Sequence, residues 1–303
     1  ATGQTQLMTL KGYGGGAVSL QPENVAGAMN IKFDQIKLFE VVMPDDIKEA
    51  LAAFSRNEMD KSIKLFEKPV TALLPYLEVP HNNLTPWILA NAHALRLAGQ
   101  TEKAFNLYKK IRSVKGSQWA DEATLWAAWC LVEMNNTDAA EKVLEAVATD
   151  RGGSTYAVAR IVQAKMLMDA NKPDKAAIEA AAAVAFSRAG AGVYPESLYT
   201  MAQVYEKLAQ PAGEKDPGNP DFLKAARVIY VEIVKAHPDS YFAALAKPRI
   251  PPEMLEPETG SDQQEAAATA PAPPPPPTPK ETPPPEKKEE QAPVDVLDDV
   301  LSN

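Results

Sequence analysis

The sequence contains few of the side chains on which most active sites depend. Among its 303 residues there are one cysteine and three histidines. Cys130 has no second cysteine to pair with, and its apolar, helical surroundings favour a small buried side chain over a nucleophile. His81, His93 and His237 have no cysteine, histidine or carboxylate at metal-ligand spacing, which argues against a zinc site. We therefore expect neither a metal nor thiol chemistry.

Motifs for phosphate binding and covalent catalysis are also missing. The glycines of the segment 12–16 are not followed by the helix and the Lys-Ser/Thr pair of a P-loop, so they indicate a hairpin loop. No serine has the surroundings of a nucleophile elbow. Paired carboxylates such as Asp45 and Asp46 fit the start of a helix. We predict that the chain is not an enzyme and that it uses no cofactor.

An excess of positive charge is lacking as well. Residues 251–303 hold 12 acidic and 3 basic residues, and subtracting them from the totals of 40 and 31 leaves 28 of each sign in residues 1–250. Such a neutral body offers no electrostatic attraction for nucleic acid. No apolar run approaches the roughly 18–20 residues of a membrane span. Because the sequence begins with Ala1 and not with methionine, we expect either a processed protein from which an export signal was removed or a trimmed chain.

A helical-hairpin pattern recurs along the middle of the chain. The stretch Ile88–Ile111 predicts two amphipathic helices that fold back at Gly99, with an alanine on each side where the backbones cross. The pattern repeats around Asn135 and Asn171, and asparagine is the next best residue after glycine for a left-handed helix cap. The turns are 36 residues apart each time (135 − 99 and 171 − 135). This period is typical of an array of helical hairpins.

Less regular hairpins extend the array in both directions. The first turns at Asn57, and Pro69 is expected to kink or restart its second helix. The last hairpin contains an insertion at residues 210–220. A short helix over Ser240–Ala246 would cover the end of the array. The predicted fold class is therefore α, a right-handed solenoid of about five helical hairpins over residues 44–250.

Both ends of the chain differ from the array. Residues 1–43 alternate apolar and polar side chains and predict a small antiparallel β cap on the first hairpin, with a fourth strand at Lys37–Val42. Residues 251–293 hold 14 of the 27 prolines and no aromatic residue, which predicts a disordered linker. Residues 294–303 have an apolar stripe that would either dock on another protein or have no role. Its residues are Val294, Leu297, Val300 and Leu301.

The pattern of small residue, turn and alanine in the three regular hairpins resembles the tetratricopeptide repeat family, whose unit has 34 residues. The resemblance covers about residues 44–250, although the tryptophan and Leu-Gly signature of the family is largely missing. The β cap is similar to the small caps that precede helical repeats in some bacterial envelope proteins. The resemblance implies a periplasmic or secreted protein, with the cytoplasm as the alternative.

In this family the first helix of each hairpin lines a concave groove, so the resemblance implies a partner-binding groove here. Trp126 and Trp129 beside Arg96 and Lys165 would bind a peptide, because aromatic and arginine anchors dominate interface energetics. Alternatively, the two tryptophans are core residues. The basic-asparagine clamp of chaperone-binding members is missing, so we do not expect a chaperone carboxylate as ligand. The full groove set is Leu89, His93, Arg96, Leu125, Trp126, Trp129, Ile161, Lys165, Met168, Tyr199, Gln203 and Glu206.

Together these features predict a non-catalytic adaptor that holds a partner protein or peptide in the groove. The alternative is a structural or assembly protein of the cell envelope, with the proline-rich tail as a spacer. The expected partner is a protein or a peptide and not nucleic acid. The sequence leaves the oligomeric state open.

Overall fold

The structure, a computed structural model, describes residues 8–23, 26–147, 153–187, 192–211 and 218–255. Residues 251–255, the start of the predicted linker, lie inside these ranges and belong to the folded body, because Pro252–Met254 form a short 3-10 helix and Met254 and Leu255 pack on a hydrophobic cluster. The rest of the predicted linker and the docking residues Val294, Leu297, Val300 and Leu301 lie outside the described ranges. Within them, a three-stranded sheet precedes eleven α-helices. The elements are β1 Met8–Gly14, β2 Ala17–Pro22, β3 Met29–Lys32, α1 Asp45–Ser55, α2 Met59–Leu73, α3 Thr85–Leu97, α4 Thr101–Arg112, α5 Ala120–Glu133, α6 Thr137–Ala146, α7 Ser154–Asp169, α8 Pro173–Ser187, α9 Tyr194–Leu208, α10 Pro220–Ala236 and α11 Tyr241–Ala246.

The helices form five consecutive antiparallel hairpins, α1–α2 to α9–α10, followed by the short α11. The alanines predicted at the crossings, among them Ala92, Ala104, Ala128 and Ala140, are fully buried between paired helices. Their small side chains allow the close approach of the two backbones. The predicted helical-hairpin solenoid is confirmed. Pro69 lies inside α2, which continues to Leu73 without restarting.

Four hairpin turns share one backbone geometry. Asn57, Gly99, Asn135 and Asn171 all have positive φ, between 53° and 73°. Each turn residue donates its N–H to the carbonyl three residues earlier, and the next residue donates to the carbonyl five residues earlier at 2.8–2.9 Å. This pair of bonds is the Schellman motif, which satisfies carbonyl groups that the helix end leaves unpaired. Asparagine and glycine therefore occur at these positions because both tolerate the left-handed conformation.

The β cap is an antiparallel sheet with the strand order β1-β2-β3. Gly15 and Gly16 form the turn between β1 and β2, both with positive φ, as a tight two-residue hairpin turn requires. Val18 is fully buried, and Leu10, Leu20 and Phe33 pack on the main hydrophobic core. A sheet of this size buries too little surface to be stable alone, so its stability depends on this contact.

The predicted fourth strand, Lys37–Val42, is wrong, because this segment does not join the sheet. It makes a single parallel bridge between Phe39 and Asn82, next to α3. The side-chain amide of Asn83 binds both the backbone N–H and the carbonyl of Val41, each at 3.0 Å. Phe39 is buried and stacks on Tyr76. These contacts hold the segment along the loop before α3 and away from the sheet edge.

No helix in the described ranges combines the length and the apolar composition that crossing a membrane requires.

Buried side chains form one large cluster that runs from the cap to α7, and two smaller ones around α9 to α11 and between α7 and α9. The hydrophobic core is therefore continuous over the first half of the array.

The shared turn geometry predicts how substitutions at Asn135 affect stability. Asn135→Ala should lower the free energy of unfolding by about 1 kcal/mol, because alanine is strained at positive φ. Asn135→Gly should cost much less, since glycine adopts this conformation freely. Urea denaturation measures both. Asn106→Ala, on the exposed side of α4, is the control and should stay within about 0.5 kcal/mol of the parent. Equal losses for alanine and glycine at position 135 would contradict the assignment.

Candidate functional site

The array curves so strongly that its two ends meet. Phe54 at the end of α1 stacks on Tyr241 at the start of α11, with ring centroids 5.8 Å apart and an interplanar angle of 12°. Leu97, at the end of α3, packs on the cluster that contains Leu198 and Tyr199 of α9. The first helices of the five hairpins are α1, α3, α5, α7 and α9. We call the side on which they face one another the inner face. Helices that are distant in sequence therefore cover much of this face.

An ion pair between residues 100 positions apart lies on the inner face. Nη2 of Arg96 donates to both carboxylate oxygens of Glu196, at 2.8 and 3.0 Å. The two side chains are only 2% and 10% exposed. Arg96 is in the last turn of α3 and Glu196 in the first turn of α9, where the two helix dipoles favour these charges. The burial of the Glu196 carboxylate outweighs its attraction to the positive charge of Arg96, and this raises the pKa of Glu196.

Two indoles surround the guanidinium group of Arg96. Its Cζ lies 4.1 Å from the ring centroid of Trp126 and 5.2 Å from that of Trp129. The two indoles meet edge to face, with centroids 6.3 Å apart. Cation–π contacts are stronger when both groups are shielded from water, as Arg96 and Trp126 are here. Aromatic packing, helix dipoles and Glu196 thus together compensate for the burial of the Arg96 charge.

A histidine and a tyrosine complete this cluster. Nδ1 of His93 is 2.9 Å from the hydroxyl of Tyr108, and its ring meets Trp126 edge to face. Burial, together with the nearby positive charge of Arg96, lowers the pKa of His93 to about 3. The neutral ring of His93 shares a hydrogen bond with the Tyr108 hydroxyl, and the tautomer of the ring sets which of the two groups donates. His93 is therefore a neutral hydrogen-bonding residue that is only partly accessible.

The structure divides the predicted groove residues into a buried group and an accessible group. Six of them are buried: Leu89, Arg96, Leu125, Trp126, Ile161 and Tyr199. Partly accessible are His93, Trp129, Lys165, Met168 and Glu206, and Gln203 is exposed. An open trough around Arg96 and Trp126 is therefore not what the structure shows, because Glu196 of α9 lies against Arg96 and Trp126 is 1% exposed. For Trp126 the core alternative is the observed one.

Four of the six accessible residues form what we call the rim, defined as Trp129, Lys165, Met168 and Gln203 on α5, α7 and α9. Nζ of Lys165 lies 6.0 Å from the ring centroid of Trp129. The same ammonium group pairs with Glu133 at 3.1 Å and Asp169 at 2.6 Å. The rim thus presents a partly covered indole and a partly covered thioether, together with one ammonium group that is paired with two carboxylates.

The sequence interpretation missed Glu196, the partner of Arg96. The signal was present, because Glu196 lies three residues before Tyr199 on the helical stripe that placed Tyr199 and Gln203 on the inner face. Extending that stripe by one turn would have included it. Its ion pair with Arg96 was not predictable, since nothing in the repeat period connects α3 with α9.

The described residues contain no group of three or more histidine, cysteine or acidic side chains that could hold a metal ion. Cys130 is fully buried, and burial raises the pKa of its thiol to about 12. A thiol with such a pKa is not a nucleophile at neutral pH. Cys130 is therefore a packing residue of α5.

Residues 95–166 match the family model described as tetratricopeptide repeat. The matched stretch runs from the end of α3 into α7 and contains the turns at Gly99 and Asn135. This stretch is thus similar to tetratricopeptide repeats, which confirms the resemblance that the spaced turns predicted. Neither a comparison with curated proteins nor one with solved structures gave a match. Tetratricopeptide repeats generally mediate protein–protein interactions and are typically non-catalytic.

The buried ion pair predicts a strongly non-additive double-mutant cycle. Arg96→Met or Glu196→Leu alone should cost roughly 3–5 kcal/mol, because each leaves one buried charge without its partner. The double variant should recover most of this loss, since apolar groups then replace both charges. Urea denaturation of the four proteins measures the coupling. Arg56→Met removes an exposed pair with Glu58 and should cost less than about 1 kcal/mol. Additive losses at positions 96 and 196 would show that the pair is not formed.

His93 predicts a pH dependence of stability with a defined sign. Between pH 6.5 and about 3 the unfolded state binds a proton at His93 that the folded state does not. The contribution of His93 is therefore present above pH 6.5 and is lost as the pH falls through this window. In His93→Phe, the free energy of unfolding should decrease less steeply from pH 6.5 to 4 than in the parent. Parallel profiles for the two proteins would mean that His93 has the same pKa in the folded and unfolded states, which would contradict its burial.

Proposed function

We propose that the protein is a non-catalytic adaptor that binds a partner protein through the rim. The observation that carries this proposal is Trp129, an indole in the tetratricopeptide repeats that the chain's own helices cover only in part. Trp126, three residues earlier on the same helix, is fully covered. Tryptophan is enriched among the residues that contribute most to binding, particularly where neighbouring groups exclude water from it.

The other rim residues indicate the chemistry of the partner. Met168 offers an adaptable apolar side chain, and Gln203 offers an exposed amide with a donor and an acceptor. The charge of Lys165 is already paired with two carboxylates, Glu133 and Asp169, so it does not favour an acidic partner. A partner segment with apolar groups for Trp129 and Met168 and a polar group for Gln203 fits these residues.

A structural or assembly role is the alternative function. In that case the rim would contact a second copy of the chain instead of a different protein. The location in the bacterial envelope stays a prediction, based on the resemblance of the β cap alone. The two functions differ in the molecule that occupies the rim, and a single experiment separates them.

Site-specific photo-crosslinking tests whether the rim is occupied. A benzophenone amino acid replaces Gln203 on the rim or, as a control, Ile178, which is 69% exposed on α8. Irradiation in cells of the source organism should give a discrete crosslinked protein for position 203 and none for position 178. Equal products at both positions would contradict the rim. A product that consists of two copies of this chain would favour the assembly role.

The variant Trp129→Ala then separates binding from folding. It should weaken binding of the captured partner by about 2 kcal/mol or more. It should cost less stability than Trp126→Ala, for which the loss expected of a buried tryptophan is roughly 3–5 kcal/mol. Calorimetric titration and urea denaturation measure the two effects. If Trp129→Ala is as unstable as Trp126→Ala, or binds the partner as tightly as the parent does, Trp129 is not a binding residue.

A further inference from the structure

Two adjoining clefts lie where the β cap meets the second hairpin, and none of the inner-face residues lines them. The larger has a volume of about 760 Å³ and the smaller about 300 Å³. Both are bounded by Glu78, Ser113 and Val114. The larger extends to Trp119 and the smaller to Tyr13. We call the two together the junction cleft.

The junction cleft combines apolar walls with positive charge. Val114 lines both parts, Val79, Pro80 and Trp119 line the larger part, and Leu74, Pro75 and Leu77 line the smaller. Lys110 borders the smaller part and Lys115 the larger, and both are exposed. In the part of the chain that the structure describes, neither of these lysines makes an ion pair. Four of the seven residues from 109 to 115 are basic and none is acidic.

A single carboxylate borders the junction cleft within the described residues, that of Glu78. It accepts a hydrogen bond from the hydroxyl of Tyr13. Tyr13 in turn packs against Phe33, with ring centroids 5.8 Å apart. The charge of the cleft is therefore positive on the side of Lys110 and Lys115. A ligand with an apolar side and negative charges would complement it.

We propose that the junction cleft binds residues 294–301 of the same chain. This terminal segment, VDVLDDVL, carries the apolar stripe identified in the sequence together with three aspartates and no basic residue. The aspartates complement Lys110 and Lys115, while the valines and leucines complement the apolar walls. The cleft is separate from the rim, so this inference goes beyond the adaptor function and does not depend on it.

The length of the intervening chain is sufficient for this contact. Thirty-eight residues, 256–293, separate Leu255 from Val294. A chain of that length has an end-to-end distance of roughly 35 Å as a random coil, and more where prolines extend it. A compact body of about 250 residues has a radius of gyration of about 18 Å, so the segment can reach any face of it. Tethering also raises its effective concentration to about the millimolar range, so that a weak intrinsic affinity is sufficient.

Intramolecular photo-crosslinking of the full chain tests the proposal. A benzophenone amino acid replaces Ser302, next to the terminal segment, and crosslinked peptides are identified by mass spectrometry. We expect crosslinks to residues 74–81 and 113–119. Lys110→Glu combined with Lys115→Glu should lower their yield at least fivefold, because both charges that attract the aspartates are reversed. Leu297→Asp should have a comparable effect, and 0.5 M salt should lower the yield by screening the exposed charges.

Matched controls make each outcome decisive. Lys172→Glu combined with Lys175→Glu reverses two exposed lysines at the turn between α7 and α8, and should leave the yield unchanged. Melting curves verify that both charge-reversed proteins are folded. Mixing isotopically heavy and light chains shows whether the crosslinks arise within one chain. Crosslinks that map elsewhere, persist after reversal at 110 and 115, or join two chains would each overturn the proposal.

Discussion

The buried contact between Arg96 and Glu196 is the constraint on which the form of the inner face depends. Removing two charges from water costs several kcal/mol per ion unless each finds a well-placed partner. Glu196 supplies that partner from 100 residues away, and the two indoles supply a favourable environment for the guanidinium group. This geometry is satisfied only when α9 approaches α3, so the ion pair is compatible only with the closed arrangement of the array.

Closure changes where a partner can bind. An open array of these repeats offers a continuous inner surface, whereas here the chain's own helices occupy the part around Arg96 and Trp126. What remains accessible is the rim, on which Trp129 is only partly covered. The junction cleft offers a second surface with a different character. Its lysines make no ion pair within the described residues, whereas Lys165 on the rim is paired with Glu133 and Asp169. Two surfaces with different chemistry can serve two different ligands.

The β cap and the loop before α3 depend on each other. The side chain of Asn82 binds the carbonyls of Leu77 and Val79, and that of Asn83 binds the backbone of Val41. These two asparagines thereby fix both the loop and the extended segment that connects the cap with α1. The larger part of the junction cleft is bounded by this loop, so its shape is set by side-chain hydrogen bonds as well as by packing.

The sequence by itself determined the repeats, because their signals are local. Four hairpins have a left-handed turn residue, at 57, 99, 135 or 171, and an alanine where the helices cross. Each of these signals acts within one hairpin, so their spacing was sufficient to predict the array. Only the tertiary structure decided whether the inner face is open, since Arg96 is covered by Glu196, which no repeat period relates to it. It also decided the position of Lys37–Val42, whose alternating pattern fits a strand. There, the hydrogen bonds of Asn83 and the burial of Phe39 outweighed pairing with the sheet.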